Sequence, residues 1–166
     1  MPLGPIFVSV EGKELTSEDK KILSHDLVCG VVLFSRNYEN KDQLRLLIKS
    51  IKSLKYPNLL VSVDQEGGRV QRFMNGFYPI PSMRSLGHLY DQSSEEGMQA
   101  TYITAEIMGL ELAEVGIDFS FAPVLDIDHG VSAIIGSRSF HYDPKVVDCL
   151  SEHFYHGMQK AGMHCV

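Results

Sequence analysis

The sequence predicts an α/β fold: the amino-terminal portion of a (β/α)8 TIM barrel, with about four βα units and the start of a fifth strand. Three observations predict it. Apolar β-rich runs alternate with amphipathic segments in the order β-α-β-α-β-α-β-α-β, which calls for parallel strands joined by helical crossovers. Each complete strand ends in polar groups on its C-terminal side, at Glu11, Ser35-Arg36, Asp64 and Asp126. Barrel enzymes gather their sites on that side from many strands. An open doubly wound sheet also fits the alternation. It would concentrate its ligand at one switch point, and the glycine fingerprint of a dinucleotide site is missing after the first strand.

The first strand is Ile6-Phe7-Val8-Ser9-Val10, closed by Glu11-Gly12. Thr16-Ser17-Glu18-Asp19 opens a helix with a hydroxyl cap and acids in its first turn. That helix runs through Ile22-Leu23 and is expected to end near Cys29-Gly30. Gly30 to Ser35 is the second strand, almost continuously apolar, as suits a strand covered on both faces. A polar loop (36–40) precedes a helix that places Leu44, Leu47, Ile48, Ile51 and Leu54 on one side. Tyr56-Pro57-Asn58 ends it, and Leu59 to Val63 is the third strand. Residues 73–92 contain Pro79 and Pro81 and are expected to be irregular. Ser93 and Glu96 have capping-box spacing at the start of a helix that reaches Val115, with Gly116 as its stop. Ile117 to Leu125 is the fourth strand. Asp143-Pro144 opens a fourth helix, buried along Val146, Leu150, Phe154 and Met158, and Gly162 ends it. Met163 to Val166 begins a fifth apolar run.

A complete barrel takes about 250 residues. The 166 residues are therefore expected to be one partial, truncated barrel domain at the amino terminus of a longer protein. Its uncovered strand edges predict self-association or pairing with a missing half. With 15 Lys+Arg against 21 Asp+Glu, the net charge is −6, which disfavours holding nucleic acid by its phosphates. No apolar run reaches the length of a membrane span, and no signal-peptide pattern opens the chain. Cys29, Cys149 and Cys165 are scattered and form no C-x-x-C pair, so the expected compartment is the reducing cytoplasm.

The densest chemistry lies at the third strand's tip, in Asp64, Glu66, Arg69 and Arg72. Carboxylates that accept from hydroxyls and guanidinium groups that donate to ring substituents can together bracket a polyol. Gly67 and Gly68 would turn the backbone and bring it close to a ligand. A self-satisfied ion-pair network explains the same residues. Asp126, Asp128 and His129 suit a divalent metal, or equally a strand cap; the absence of a second ligand cluster favours the cap. His153 and His156 share a helix face and read as solvated. Arg138, in the loop after the fourth strand, is a candidate clamp for an anion or amide carbonyl.

The run Val63-Asp64-Gln65-Glu66-Gly67-Gly68-Arg69-Val70-Gln71-Arg72-Phe73 resembles the signature of family 3 glycoside hydrolases, specifically bacterial β-N-acetylhexosaminidases of the cell-wall recycling type. Stretches 30–38, 118–126, 135–140 and 157–163 support the resemblance in family order. It implies a barrel that removes terminal N-acetylglucosamine from muropeptides with retention of configuration, without cofactor or metal. Asp64 would hold sugar hydroxyls, with Arg72 and Arg138 completing that substrate-binding subsite. Glu66 and Arg69 would support by ion pairing. The family's Lys-His-Phe-Pro-Gly-His-Gly segment, histidine acid/base and aspartate nucleophile have no counterpart among these residues, so no catalytic residue is assigned and the chain alone is expected to be inactive. Two other readings stand beside it: a non-catalytic sugar-binding or assembly module, and a metal-dependent barrel hydrolase using Asp126, Asp128 and His129.

Overall fold

The computed structural model describes residues 4–166. In chain order its elements are β1 (Ile6–Val8), α1 (Ser17–Leu23), β2 (Val28–Leu33), α2 (Lys41–Lys52), β3 (Leu60–Val63), β4 (Gln65–Gly67), β5 (Val70–Gln71), α3 (Met83–Gln92), α4 (Ser94–Val115), β6 (Phe119–Ser120), α5 (Pro144–Lys160) and β7 (His164–Cys165). The main sheet runs β1-β2-β3-β6-β7, and every neighbouring pair is parallel. The strands thus lie side by side in the order the chain makes them. An open doubly wound sheet reverses its order at a switch point; this one does not, and it forms the arc of a (β/α)8 barrel. Strands β4 and β5 form a separate antiparallel hairpin beyond the tip of β3.

The helices start where the sequence offers side-chain acceptors. Thr16 and Asp19 form a full capping box on α1, each side chain accepting the other's backbone N–H. Asn40, Ser82, Ser93 and Asp143 cap the other four helices, and Pro144 occupies the first turn of α5, where its missing N–H costs nothing. Gly116, at φ 94°, ends α4.

Alternation along the strands gives the sheet two different faces. Val31, Leu33, Val61 and Val63 are fully buried against the helical layer, which supplies Leu44, Leu47, Ile48 and Ile51 from α2 and Ala105, Met108 and Leu112 from α4. The opposite face is only partly covered and carries Phe7, Val32, Leu60 and Phe119. There Phe7 lies over Gly30, where an added Cβ would come within 2.3 Å of the ring. Phe7 meets Phe119 edge to face, and Phe119 meets Phe121 in the same way. No helix among the described residues is long and apolar enough to cross a membrane.

Three expectations are corrected. Residues 83–92 form a helix rather than irregular chain, because Ser82 caps it immediately after the prolines. Helix α1 stops at Leu23, and Val28 and Cys29 belong to β2, where apolar side chains find β1 and the core. The fourth strand is shorter than Ile117–Leu125: only Phe119 and Ser120 pair with both neighbours, after which the chain leaves the ladder.

Asp118 ties the layers together at the start of β6. Its carboxylate accepts from Val61 N at 2.7 Å and from Lys52 Nζ on α2 at 2.6 Å. Asp118→Ala would strand that backbone donor and leave the ammonium without its partner. The expected cost is about 1–3 kcal/mol, read as a lower urea midpoint at unchanged denaturant slope.

Candidate functional site

The tip of β3 is built by two glutamines. Gln65 is buried; its Oε1 accepts from Arg72 N at 2.8 Å and Phe73 N at 3.1 Å, and its Nε2 donates to Phe73 O at 3.1 Å. Gln71 donates to Phe73 O and Tyr78 O and accepts from Ile80 N at 2.9 Å. These bonds add to the short ladder that β4 and β5 supply. Below them, Gln65 N donates to Ser120 Oγ at 3.1 Å, which fixes the tip to β6.

Gly67 and Gly68 make the sharp turn, with φ of 96° and 54°. Their backbone also packs closely against the protein itself. A Cβ on Gly67 would lie 2.4 Å from Pro81 O, and Gly68 N donates to Ile80 O at 2.9 Å. The hairpin is pressed onto the segment that leads into α3.

Two carboxylate–guanidinium pairs result. Arg72 Nη2 donates to Asp64 Oδ2 at 3.1 Å, with both side chains partly exposed. Arg138 reaches back from the loop after β6 and grips Glu66 with two parallel bonds, Nε to Oε2 at 2.8 Å and Nη2 to Oε1 at 2.7 Å. The Glu66 side chain is only 4% exposed. Its hydrogen bonds raise the Arg138 pKa above the ordinary arginine value, against opposing burial; Asp126 and Asp64 add to the rise. Asp64, Glu66, Asp126, Arg72 and Arg138 thus form one electrostatic group. Phe34, above β2, packs under it, with the Arg36 and Arg72 guanidinium carbons 4.7 and 5.8 Å from its ring centre. Arg72 Nε is buried and has no hydrogen-bond partner among the described residues.

Glu66 therefore pairs as expected, but Arg69 does not. The glycine turn carries Arg69 to an exposed position, from which Nη2 donates to the carbonyls of Ala133 and Ile134. Asp126, Asp128 and His129 are not brought together. Asp128 accepts from Gly130 N at 2.9 Å and lies 3.4 Å from Arg84 Nη2, while Asp126 and His129 are exposed. Among the described residues no three His, Cys, Asp or Glu side chains converge as a metal set. His156 is exposed near Glu152, while His153 Nδ1 meets Cys149 O at 2.8 Å. Sequence reasoning missed His141, which is buried. Its Nδ1 accepts from Asp143 N at 3.0 Å, so Nε2 carries the proton and faces Asp91 Oδ1 at 3.0 Å. Asp91 lies in the segment read as irregular, so no spacing signal linked the two.

A parallel arc with its charged tips gathered at the carboxyl ends places the chain among the barrel proteins that build their sites on one rim. Residues 6–166 match the family model for the glycosyl hydrolase family 3 N-terminal domain, and the chain belongs to that family. A beta-hexosaminidase from Thioalkalivibrio sulfidiphilus is 47% identical over 166 residues, covering 100% of this chain and 48% of the relative. The crystal structure of native NagZ from Neisseria gonorrhoeae superposes with a TM-score of 0.98 at 40% identity, covering 99% of this chain and 49% of that one. The same Neisseria protein, with the same TM-score, is also known in complex with N-trifluoroacetyl-D-glucosamine. The chain spans about half the length of the relatives it matches.

Gln65→Leu keeps the volume of this side chain and removes its hydrogen bonds to the Arg72 and Phe73 backbone. The expected loss is about 2–4 kcal/mol in chemical denaturation, with proteolysis opening first between residues 65 and 80. Cleavage elsewhere, or unchanged stability, would show that the tip is held by other means.

Proposed function

We propose that this chain is the sugar-holding part of a β-N-acetylhexosaminidase that removes terminal N-acetylglucosamine from cell-wall muropeptides in the cytoplasm, with retention of configuration. Its residues 1–166 act as a partial barrel catalytic domain. Asp64, Arg72 and Arg138 form one wall of the sugar pocket. The observation that carries this reading is the Asp64–Arg72 pair beside Arg138 on the carboxyl rim. The family and the amino sugar bound by the Neisseria relative support it.

The chemistry follows from the donors and acceptors left over. Arg72 engages Asp64 Oδ2, so Oδ1 remains to accept from sugar hydroxyls. Arg138 uses Nε and Nη2 on Glu66 and keeps Nη1 as a donor. Charge-assisted bonds of this kind fix a ring in one orientation, and orientation is what the wall contributes. Retaining hydrolysis also needs a nucleophile and an acid/base group close together, about 5–5.5 Å apart for two carboxylates. Asp64 and Glu66 are both engaged with arginines, and neither is assigned to that work.

Two assays test the reading. In the full-length protein, Asp64→Ala should lower kcat/KM on 4-nitrophenyl N-acetyl-β-glucosaminide by about 100-fold, the worth of two charge-assisted hydrogen bonds. The purified 166-residue chain should release no nitrophenol; turnover proportional to its concentration would overturn the division of labour.

The open edges of β1 and β7 also lead us to propose that the isolated chain self-associates. Sedimentation should find dimers or larger species at micromolar concentration, and a stable monomer would refute this.

A further inference from the structure

We propose that Arg69 and Glu66 are positioning residues that clasp the loop after β6 and thereby set Arg138 for sugar binding; the inference rests on the sugar-wall reading above. Residues 136–138 pack against α3 and run into the buried Ser139 and Phe140, but the stretch upstream of them has little else to hold it. Residues 129–134 are all exposed, with Val131 at 90% and Ile134 at 72%. Gly130 and Gly136 take positive φ, and a Cβ added at either would meet nothing within 4 Å. Apolar packing therefore does not define its path. Among the described residues, the hydrogen bonds that tie residues 129–138 to a distant part of the chain all come from the β4–β5 hairpin.

The two ties divide the work. Glu66 fixes the plane of the Arg138 guanidinium with parallel bonds, which a single contact could not do. Arg69 holds the Ala133 and Ile134 carbonyls just upstream, which fixes the backbone from which Arg138 projects. One rigid turn thus controls both the position and the orientation of a sugar-facing side chain on another loop. Glu66 is too buried to remove without disturbing the fold, so the exposed Arg69 is the informative position.

The test is a double-mutant cycle in the full-length protein, again with 4-nitrophenyl N-acetyl-β-glucosaminide. Arg69→Ala should lower kcat/KM about tenfold, mainly by raising KM, and Arg69→Lys should recover to within about threefold of the parent. The Arg69→Ala/Arg138→Ala double variant should be no worse than Arg138→Ala alone, because Arg69 acts through Arg138. Amide exchange should quicken in residues 129–138 of Arg69→Ala and stay unchanged elsewhere. Full additivity, unchanged exchange in that loop, or an unaffected Arg69→Ala beside an impaired Arg138→Ala would overturn the clasp and leave the sugar wall standing. An Arg138→Ala enzyme with undiminished kcat/KM would overturn the wall and the clasp together.

Discussion

The charge on Glu66 governs this half-barrel's rim. A carboxylate with 4% of its side chain exposed keeps its charge only with a counterion and satisfied oxygens. Arg138 supplies both through a two-point contact across 72 residues. Everything around the pair serves to let it form. Gln65 and Gln71 hold the tip in the shape that buries Glu66. Gly67 and Gly68 let that tip press onto residues 80–82. The loop after β6 must then pass where its arginine meets the carboxylate.

The two faces of the sheet explain why the polar groups collect there. One face is sealed by helices and fills with valine and leucine. The other is partly covered, and beyond Val63 the alternation brings Asp64 to that side. Phe34, Arg36 and Arg72 then surround the exit with aromatic and cationic surface. An aromatic face, two guanidinium groups and a carboxylate with one oxygen left unpaired by Arg72 thus share one exit from the sheet.

Much of this was legible in the sequence because it is local. Cap residues, the apolar stripes of α2 and α5, and the repeated strand–helix alternation each lie within a few residues of their consequences. Parallel strands and polar tips followed from that. What escaped was set by long-range partners. The prolines at 79 and 81 hid a helix that begins one residue after Ser82. The β4–β5 hairpin is too short to show an alternating pattern, and glutamine side chains supplement its two paired positions. Arg69 has the sequence signature of an ion-pairing group, yet it holds carbonyls that only the folded loop brings near. His141 and Asp91 meet across 50 residues, with no motif to join them.

The unreversed strand order has a temporal meaning. Each new strand of the sheet docks beside the one made just before it, so the arc can grow as the chain leaves the ribosome. The rim cannot. Glu66 is synthesised 72 residues before Arg138, an interval of about 4–14 s at ordinary elongation rates of about 5–20 residues per second. Within these residues the link between the two loops therefore closes only after the later loop is made, and pairing of that carboxylate waits for an arginine synthesised 72 residues on.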